Sequence, residues 1–142
     1  MSASRRSAGT VIDTSVVLAS ILHNDHNILS ECRSRIEDSP VPIAHVLAES
    51  YARITSMPGN HRLEPSVTWQ VLAEMFPEAP MTLSSEGYLR VIKLVSDLAI
   101  VGGAIYDCLI AETARERKAT LVSLDKRAAK NYAAVGVDFV LL

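Results

Sequence analysis

The sequence predicts an α/β fold in which helices cover a parallel β-sheet. Short apolar runs alternate along the chain with segments of helical periodicity, an order typical of strand–helix–strand units. Hydrophobic residues make up 49% of the 142 residues and charged residues only 21%. Such an apolar composition favours a sheet that is buried on both faces, an interface with a partner, or both.

The individual elements follow from local patterns. Apolar β-branched runs predict short strands, and apolar stripes at helical spacing predict helices. Proline and glycine mark several breaks between them, notably at 58–59, 77–80, 102–103 and 136. The predicted strands are 10–12, 120–123 and 138–141, with a weak strand at 81–83 and either a short strand or an extended lead-in at 40–43. The predicted helices are 15–22, 26–37, 44–56, 66–76, 84–98, 104–118 and 125–134.

Length and charge limit the class of protein. The chain is long enough for one domain, and no linker divides it, so we expect a disordered extension at 1–9 and a single domain at 10–142. Its 14 basic and 16 acidic residues give a net charge of −2. This excludes a strongly basic, histone-like nucleic-acid clamp, but a net charge does not say where the charges lie.

Cysteine content and hydropathy predict where the protein resides. The two cysteines, Cys32 and Cys108, have no CxxC spacing, which excludes a disulfide framework and a zinc ribbon. We therefore expect a reducing, cytoplasmic compartment. The longest apolar stretch, 16–22, is too short to span a bilayer, so no membrane association is expected.

Asp13 and Asp125 each follow a predicted strand. The carboxyl edge of a parallel sheet is where ligands bind in open α/β folds. Both aspartates could instead cap the helix that follows. For Asp13 we favour a functional role, because Thr14 or Ser15 could cap without a charge. For Asp125, taken alone, we favour the cap.

Asp107 and Glu49 are placed by helical periodicity. Asp107 lies on or beside the apolar stripe of its helix, so it is either a ligand-binding acid or a first-turn acid favoured by the helix dipole. The opposite face is predicted to carry Cys108, Glu112, Arg115 and Glu116. Glu49 points largely away from the apolar face of its own helix, and Arg53 stands at i+4. A solvated Glu–Arg pair is therefore favoured for Glu49.

Three of these acids, Asp13, Asp107 and Asp125, reach one sheet edge from separate segments. Carboxylates that lie close together repel one another, and hard divalent cations such as Mg²⁺ or Mn²⁺ relieve that repulsion. Ions of this kind support phosphoryl chemistry. The acids therefore predict a metal site.

Two further features allow alternatives. Six basic residues bracket Asp125 and either contact an RNA backbone or form a solvated helix face; they are Arg115, Arg117, Lys118, Lys126, Arg127 and Lys130. Trp69 and Phe76 share a helix with Leu72 and indicate core or an interface for a partner.

Four segments, in this order, resemble the PIN domain family. Their sequences are VIDTS at 11–15, VLAE at 46–49, GGAIYDCLIA at 102–111 and ATLVSLD at 119–125, and VGV at 135–137 fits the usual ending. The resemblance covers roughly residues 10–142, and VapC-type toxins of bacterial toxin–antitoxin pairs are the nearest group. The chain departs from the pattern at Ala128, where many relatives carry an aromatic residue.

The resemblance implies a three-layer α/β/α sandwich and a metal-dependent endoribonuclease, the toxin of a type II toxin–antitoxin system. It assigns catalytic and metal-binding roles to Asp13, Glu49, Asp107 and Asp125, with Mg²⁺ or alternatively Mn²⁺ as cofactor. Ser15 and Ser123 are implied to position the substrate or the acids. The implied partners are an RNA substrate, a VapB-like antitoxin and a second copy of the chain. Only the resemblance gives Glu49 a function.

Two other functions fit the same residues. A non-catalytic PIN module would bind RNA or protein without turnover. An aspartyl-phosphate phosphatase would use Asp13 as its nucleophile, although such enzymes usually carry a second aspartate two residues later, where this chain has Ser15.

Overall fold

A three-stranded parallel sheet lies at the centre of the part of the chain described by the computed structural model, residues 9–142. Its strands are β1 (Thr10–Ile12), β2 (Thr120–Ser123) and β3 (Phe139–Leu141), in the order β1-β2-β3. In β1 and β2, Ile12 is opposite Val122, so both strands end at the same edge. The α/β class and the parallel sheet are confirmed, whereas the predicted extension at 1–9 lies outside the described residues apart from Gly9.

The segments 40–43 and 81–83 meet only at a single parallel bridge between Ile43 and Met81. The Met81 amide donates to the Pro42 carbonyl at 2.8 Å, and the Ala44 amide donates to the Met81 carbonyl at 2.9 Å. Pro40, Pro42 and Pro80 have no amide hydrogen to continue a ladder. Residues 40–43 are therefore the extended lead-in to the helix that begins at Ala44, one of the two alternatives, whereas the prediction of a strand at 81–83 was wrong for that reason.

The helices between the strands agree with the predicted ones to within two residues at each end, except for the last. That helix begins at Ala129 rather than at 125, and residues 125–128 form a turn before it. A short 3₁₀ turn, Gly59–His61, follows Pro58. The helices are α1 (Thr14–Leu22), α2 (His26–Glu37), α3 (Ala44–Thr55), α4 (Pro65–Met75), α5 (Ser85–Asp97), α6 (Ala104–Glu116) and α7 (Ala129–Val135).

Helix α6 is buried on more than one side, because every residue from 108 to 114 is buried. The prediction that Cys108 and Glu112 face solvent was wrong. Both α5 and α7 pack against α6 and cover the side that periodicity assigned to water. The buried Glu112 carboxylate is neutralised by Arg90 at 2.7 Å and Arg115 at 2.6 Å.

An apolar groove of about 670 Å³ lies between α3 and α4. Leu72 and Phe76 form part of the core, as predicted for one of the two alternatives, but Trp69 is 69% exposed on the rim of the groove. Tyr51 of α3 lines the same groove. Within residues 9–142, no helix combines the length and the apolar character needed to cross a membrane.

Candidate active site

One cavity at the carboxyl edge of the sheet brings together the four acids named by the sequence. It has a volume of about 360 Å³. Asp13 enters it from the β1–α1 junction, Glu49 from α3, Asp107 from α6 and Asp125 from the turn after β2. Ser15 also lines the cavity, as do two cationic residues, Arg53 and Arg127.

Asp13 both caps α1 and lines the cavity, so the cap does not keep this carboxylate away from a ligand. Its amide donates to the Val122 carbonyl at 3.1 Å, which extends the parallel ladder by one residue. Its Oδ1 accepts from the Val16 amide at 3.3 Å, as an N-cap does, and also from the Ser15 hydroxyl. The side chain is thereby fixed at the strand end while only 2% of the residue is exposed.

Burial raises the pKa of both Asp13 and Asp107. For Asp13, nearby hydroxyl groups, including those of Ser15 and Tyr132, partly offset the rise. For Asp107, the negative charges of Asp125, Glu49 and Asp13 add to the desolvation and raise its pKa further. The repulsion expected between clustered carboxylates is therefore present in this cavity.

Glu49 lines the acidic cavity and is half-buried. The solvated Glu49–Arg53 pair favoured by periodicity is not among the ion pairs of residues 9–142. Both side chains instead line the cavity from one stripe of α3. The interpretation as an isolated surface pair was wrong, because periodicity within α3 could not reveal that the cavity lies against this side of the helix.

Asp125 caps a turn, not a helix, so the predicted N-cap of the last helix was wrong. Its Oδ1 accepts from the amides of Arg127 at 2.9 Å and Ala128 at 3.2 Å. Its own amide donates to the Ser123 hydroxyl at 2.9 Å. These bonds hold the carboxylate at the cavity wall four residues before α7 begins.

Ser15 and Ser123 connect the ends of β1 and β2. The Ser15 hydroxyl accepts from the Leu124 amide at 2.9 Å, and the two serine hydroxyls lie 3.4 Å apart. Because Ser15 also donates to Asp13, the two serines tie that carboxylate to the segment that carries Asp125.

Two residues that the sequence did not single out, Asn131 and Tyr132, hold the acids from α7. The Tyr132 hydroxyl donates to Asp13 Oδ2 at 2.6 Å, and the Asn131 amide group donates to Asp107 Oδ2 at 3.1 Å. Both residues are buried. The only feature of the sequence that could have indicated their role is that this polar Asn-Tyr pair lies within an alanine-rich segment. Helix α7 has seven residues and is too short for hydrophobic periodicity to define its buried face.

The donor set of the cavity fits a hard divalent cation. It offers carboxylate oxygens, which Mg²⁺ and Mn²⁺ prefer, and none of the four acids takes part in an ion pair within residues 9–142. In that same part of the chain, no three His, Cys, Asp or Glu side chains already form a group that could hold a metal ion. The acids thus fit a metal in chemistry and charge, and their side chains must converge to bind it.

This α/β fold with an acidic cavity at its sheet edge is the fold of a known family. The family model described as PIN domain matches residues 10–134, and the chain therefore belongs to the PIN domain family. Ribonuclease VapC27 of Mycobacterium tuberculosis is 38% identical over 97 residues, which cover 68% of this chain and 70% of that protein.

Solved structures agree with the fold. The structure of VapBC2 from Rickettsia felis, bound to a DNA fragment from its promoter, is similar with a TM-score of 0.66 and 15% identity, over 94% of this chain and 98% of that chain. VapBC-5 of Mycobacterium tuberculosis, a member of the VapBC family of toxin–antitoxin systems, gives a TM-score of 0.59 and 18% identity over the same shares. The predicted PIN-like three-layer α/β/α fold is confirmed.

The raised pKa of Asp107 leads to a prediction about stability. An acid whose pKa is raised by folding destabilises the folded state when it is ionised, and protonation relieves that cost as the pH falls through the folded-state pKa. In EDTA at pH 7, Asp107→Asn should therefore raise the free energy of unfolding by about 0.5–1 kcal/mol. The gain should shrink as the pH is lowered toward 4.

Urea unfolding at several pH values measures this effect. Asp97→Asn is the matched control, because Asp97 is an exposed acid in a surface pair with Lys93 and should give no gain in stability. An Asp107→Asn variant that is less stable than the wild type in EDTA at pH 7, or whose advantage grows in acid, would contradict the argument.

Proposed function

We propose that this protein is a divalent-metal-dependent endoribonuclease that hydrolyses RNA phosphodiester bonds, and that it acts as the toxin of a type II toxin–antitoxin system. The observation that carries the proposal is the placement of Asp13, Glu49, Asp107 and Asp125 on one cavity. The ribonuclease named among its relatives supports the assignment. Divalent-metal dependence is general among PIN-domain ribonucleases of the VapC type.

In this proposal Asp13 and Asp107 are the direct metal ligands, and Glu49 and Asp125 support them. The metal is Mg²⁺, with Mn²⁺ as the alternative. Bound there, it would stabilise the negative charge that develops on the phosphate during hydrolysis. Tyr132 hydrogen-bonds Asp13 in the folded chain and so limits the rotation of a carboxylate that must keep its orientation.

Cationic residues on the cavity wall are placed to receive the RNA backbone. Arg53 and Arg127 line the cavity beside the acids, and a guanidinium group can bind phosphate oxygens in a bidentate manner. Lys126 and Lys130 are exposed near Asp125 and would add non-specific phosphate contacts. Setting the four proposed ligands aside leaves 12 acidic residues against 14 basic ones, so the rest of the chain need not repel RNA.

We further propose a VapB-like antitoxin as a partner, a homodimer as the assembly, and the cytoplasm as the location, with residues 10–142 as one domain. Similar folds occur in solved VapBC structures. Exposed apolar side chains also suggest partner surfaces; they include Trp69 beside the apolar groove and Leu89 and Ile92 on α5.

The proposal is tested with the purified protein alone and a mixture of single-stranded and structured RNAs. We expect cleavage with Mg²⁺ or Mn²⁺, loss of cleavage in EDTA, and recovery when the metal is restored in excess. RNA binding without turnover, unchanged by substitution of the acids, would instead indicate a non-catalytic PIN module. A phosphate trapped on Asp13 would indicate the phosphatase.

A further inference from the structure

Two aromatic rings stack on each other outside the acid cluster, and each belongs to a helix that carries one of the four acids. The His45 and Tyr106 rings have centroids 5.5 Å apart and planes inclined by 17°. Tyr106 is 50% exposed, so part of its ring remains open to solvent. A stacked aromatic pair that is left partly open offers a flat surface to another planar group.

The stack joins the beginnings of the two helices that carry Glu49 and Asp107. His45 lies one turn before Glu49 in α3, about 6 Å along the helix axis, and Tyr106 immediately precedes Asp107 in α6. The rings are therefore within the reach of one nucleotide from the acidic cavity.

A second cavity, of about 170 Å³, is lined in part by His45 of the stack. Along α6, Asp107 and Ile110 line the acidic cavity, whereas Leu109 and Thr113 line the second one. Tyr106 stands three residues before Leu109 and four before Ile110, so it lies between the two faces of the helix. The residues that line the second cavity include His45 and Tyr88 but no Asp, Glu, Lys or Arg.

We propose that the His45–Tyr106 pair, with the second cavity beside it, binds a nucleobase of the RNA, that of a nucleotide next to the scissile phosphate. This inference rests on the proposed function. An RNA strand alternates a charged phosphate with a flat, uncharged base, and α6 lines a charged cavity and an uncharged one in the same way. Proteins that recognise single-stranded RNA stack its unpaired bases on aromatic side chains.

The experiment uses an RNA that the wild type cleaves at a mapped position, and versions of it that lack one base near that position. Tyr106→Ala should lower kcat/KM by about ten-fold through a higher KM, the size expected for loss of one stacked base. Tyr106→Phe, which keeps the ring, should stay within about two-fold. Removing one particular base should cost the wild type about ten-fold and the Tyr106→Ala variant nothing more.

A spectroscopic measurement separates stacking from a structural role. With 2-aminopurine at that position, in EDTA, its fluorescence should be quenched on binding to the wild type and to Tyr106→Phe but not to Tyr106→Ala. Tyr51→Ala is the matched control, because Tyr51 is a similarly exposed tyrosine of the apolar groove, and it should behave as the wild type.

Several outcomes would overturn the inference. If the missing base and Tyr106→Ala cause independent, additive losses, or if Tyr106→Phe is as impaired as Tyr106→Ala, the rings do not stack on a base. In both cases an active wild type leaves the proposed function intact. A wild type that neither binds nor cleaves RNA would remove the proposed function and the base site together.

Discussion

Replacing Asp13 with asparagine should reduce metal-dependent RNA cleavage by at least about 100-fold while leaving the protein folded. Removing a group that only hydrogen-bonds a metal ligand typically costs about 10–100-fold in metal affinity or activity, and loss of a proposed ligand itself should cost no less. Asparagine is as good an N-cap as aspartate, so α1 keeps its cap. Initial cleavage rates in Mg²⁺, with circular dichroism to check folding, measure the effect, and Asp107→Asn should behave in the same way.

A matched control and a graded variant make this result specific. Asp25 is also an N-cap aspartate, which accepts from two amides at the start of α2, but it lies outside the cavity. Asp25→Asn should therefore keep full activity. Tyr132→Phe removes the hydroxyl group that donates to Asp13 and should weaken Mn²⁺ binding by about ten-fold. Wild-type rates in both Asp13→Asn and Asp107→Asn would refute the proposed mechanism.

Removing both arginines that contact Glu112 should destabilise the protein by about 3–5 kcal/mol, the range expected when a buried charge loses its partners. Glu112 is only 1% exposed, and its carboxylate accepts from Arg90 at 2.7 Å and from Arg115 at 2.6 Å. Arg90 also donates to the Val135 carbonyl at 3.3 Å, so the cluster connects α5 and α6 to the end of α7. The double variant Arg90→Ala, Arg115→Ala would leave a carboxylate buried without a cation.

The opposite substitution should cost less, which tests the reasoning. Both arginine side chains are about 40% exposed, so they regain water when the acid is neutralised, and Glu112→Gln should cost about 1–3 kcal/mol. Arg35→Ala, which breaks an exposed pair with Glu31, should cost less than about 1 kcal/mol. Urea unfolding compares the variants. A larger loss for Glu112→Gln than for the double arginine variant would contradict this account.

Several predicted features that depended on local sequence agree with the structure. The strands at 10–12 and 120–123 have the bounds that their apolar β-branched runs predicted. Asp13 and Asp107 interrupt apolar patterns, and a charge within such a pattern marks a position at which burial needs a reason. The end of the last helix at Gly136 was also predicted from local sequence, because the left-handed backbone that ends a helix, here with a φ of +90°, favours glycine.

Features that depended on two distant segments could not be found in this way. Tyr132 contacts Asp13 across 119 residues of sequence, and Arg90 contacts Glu112 across 22. The pattern within α6 reports one apolar stripe, but two neighbouring helices bury the opposite side as well. Glu49 was assigned to solvent for the same reason, since periodicity in α3 does not say what lies against each face.

The sequence by itself determined the α/β class, the parallel strands and the positions of Asp13 and Asp107, since each follows from hydrophobic spacing over a few residues. For Glu49, periodicity favoured solvent and only the family resemblance placed it with the other acids, whose cavity it lines in the tertiary structure. The tertiary structure alone decided that Asn131 and Tyr132 hold two of the acids and that Glu112 is buried between two arginines. The physical reason is that burial and hydrogen bonding depend on all the elements packed around a side chain, whereas spacing along one element describes only that element.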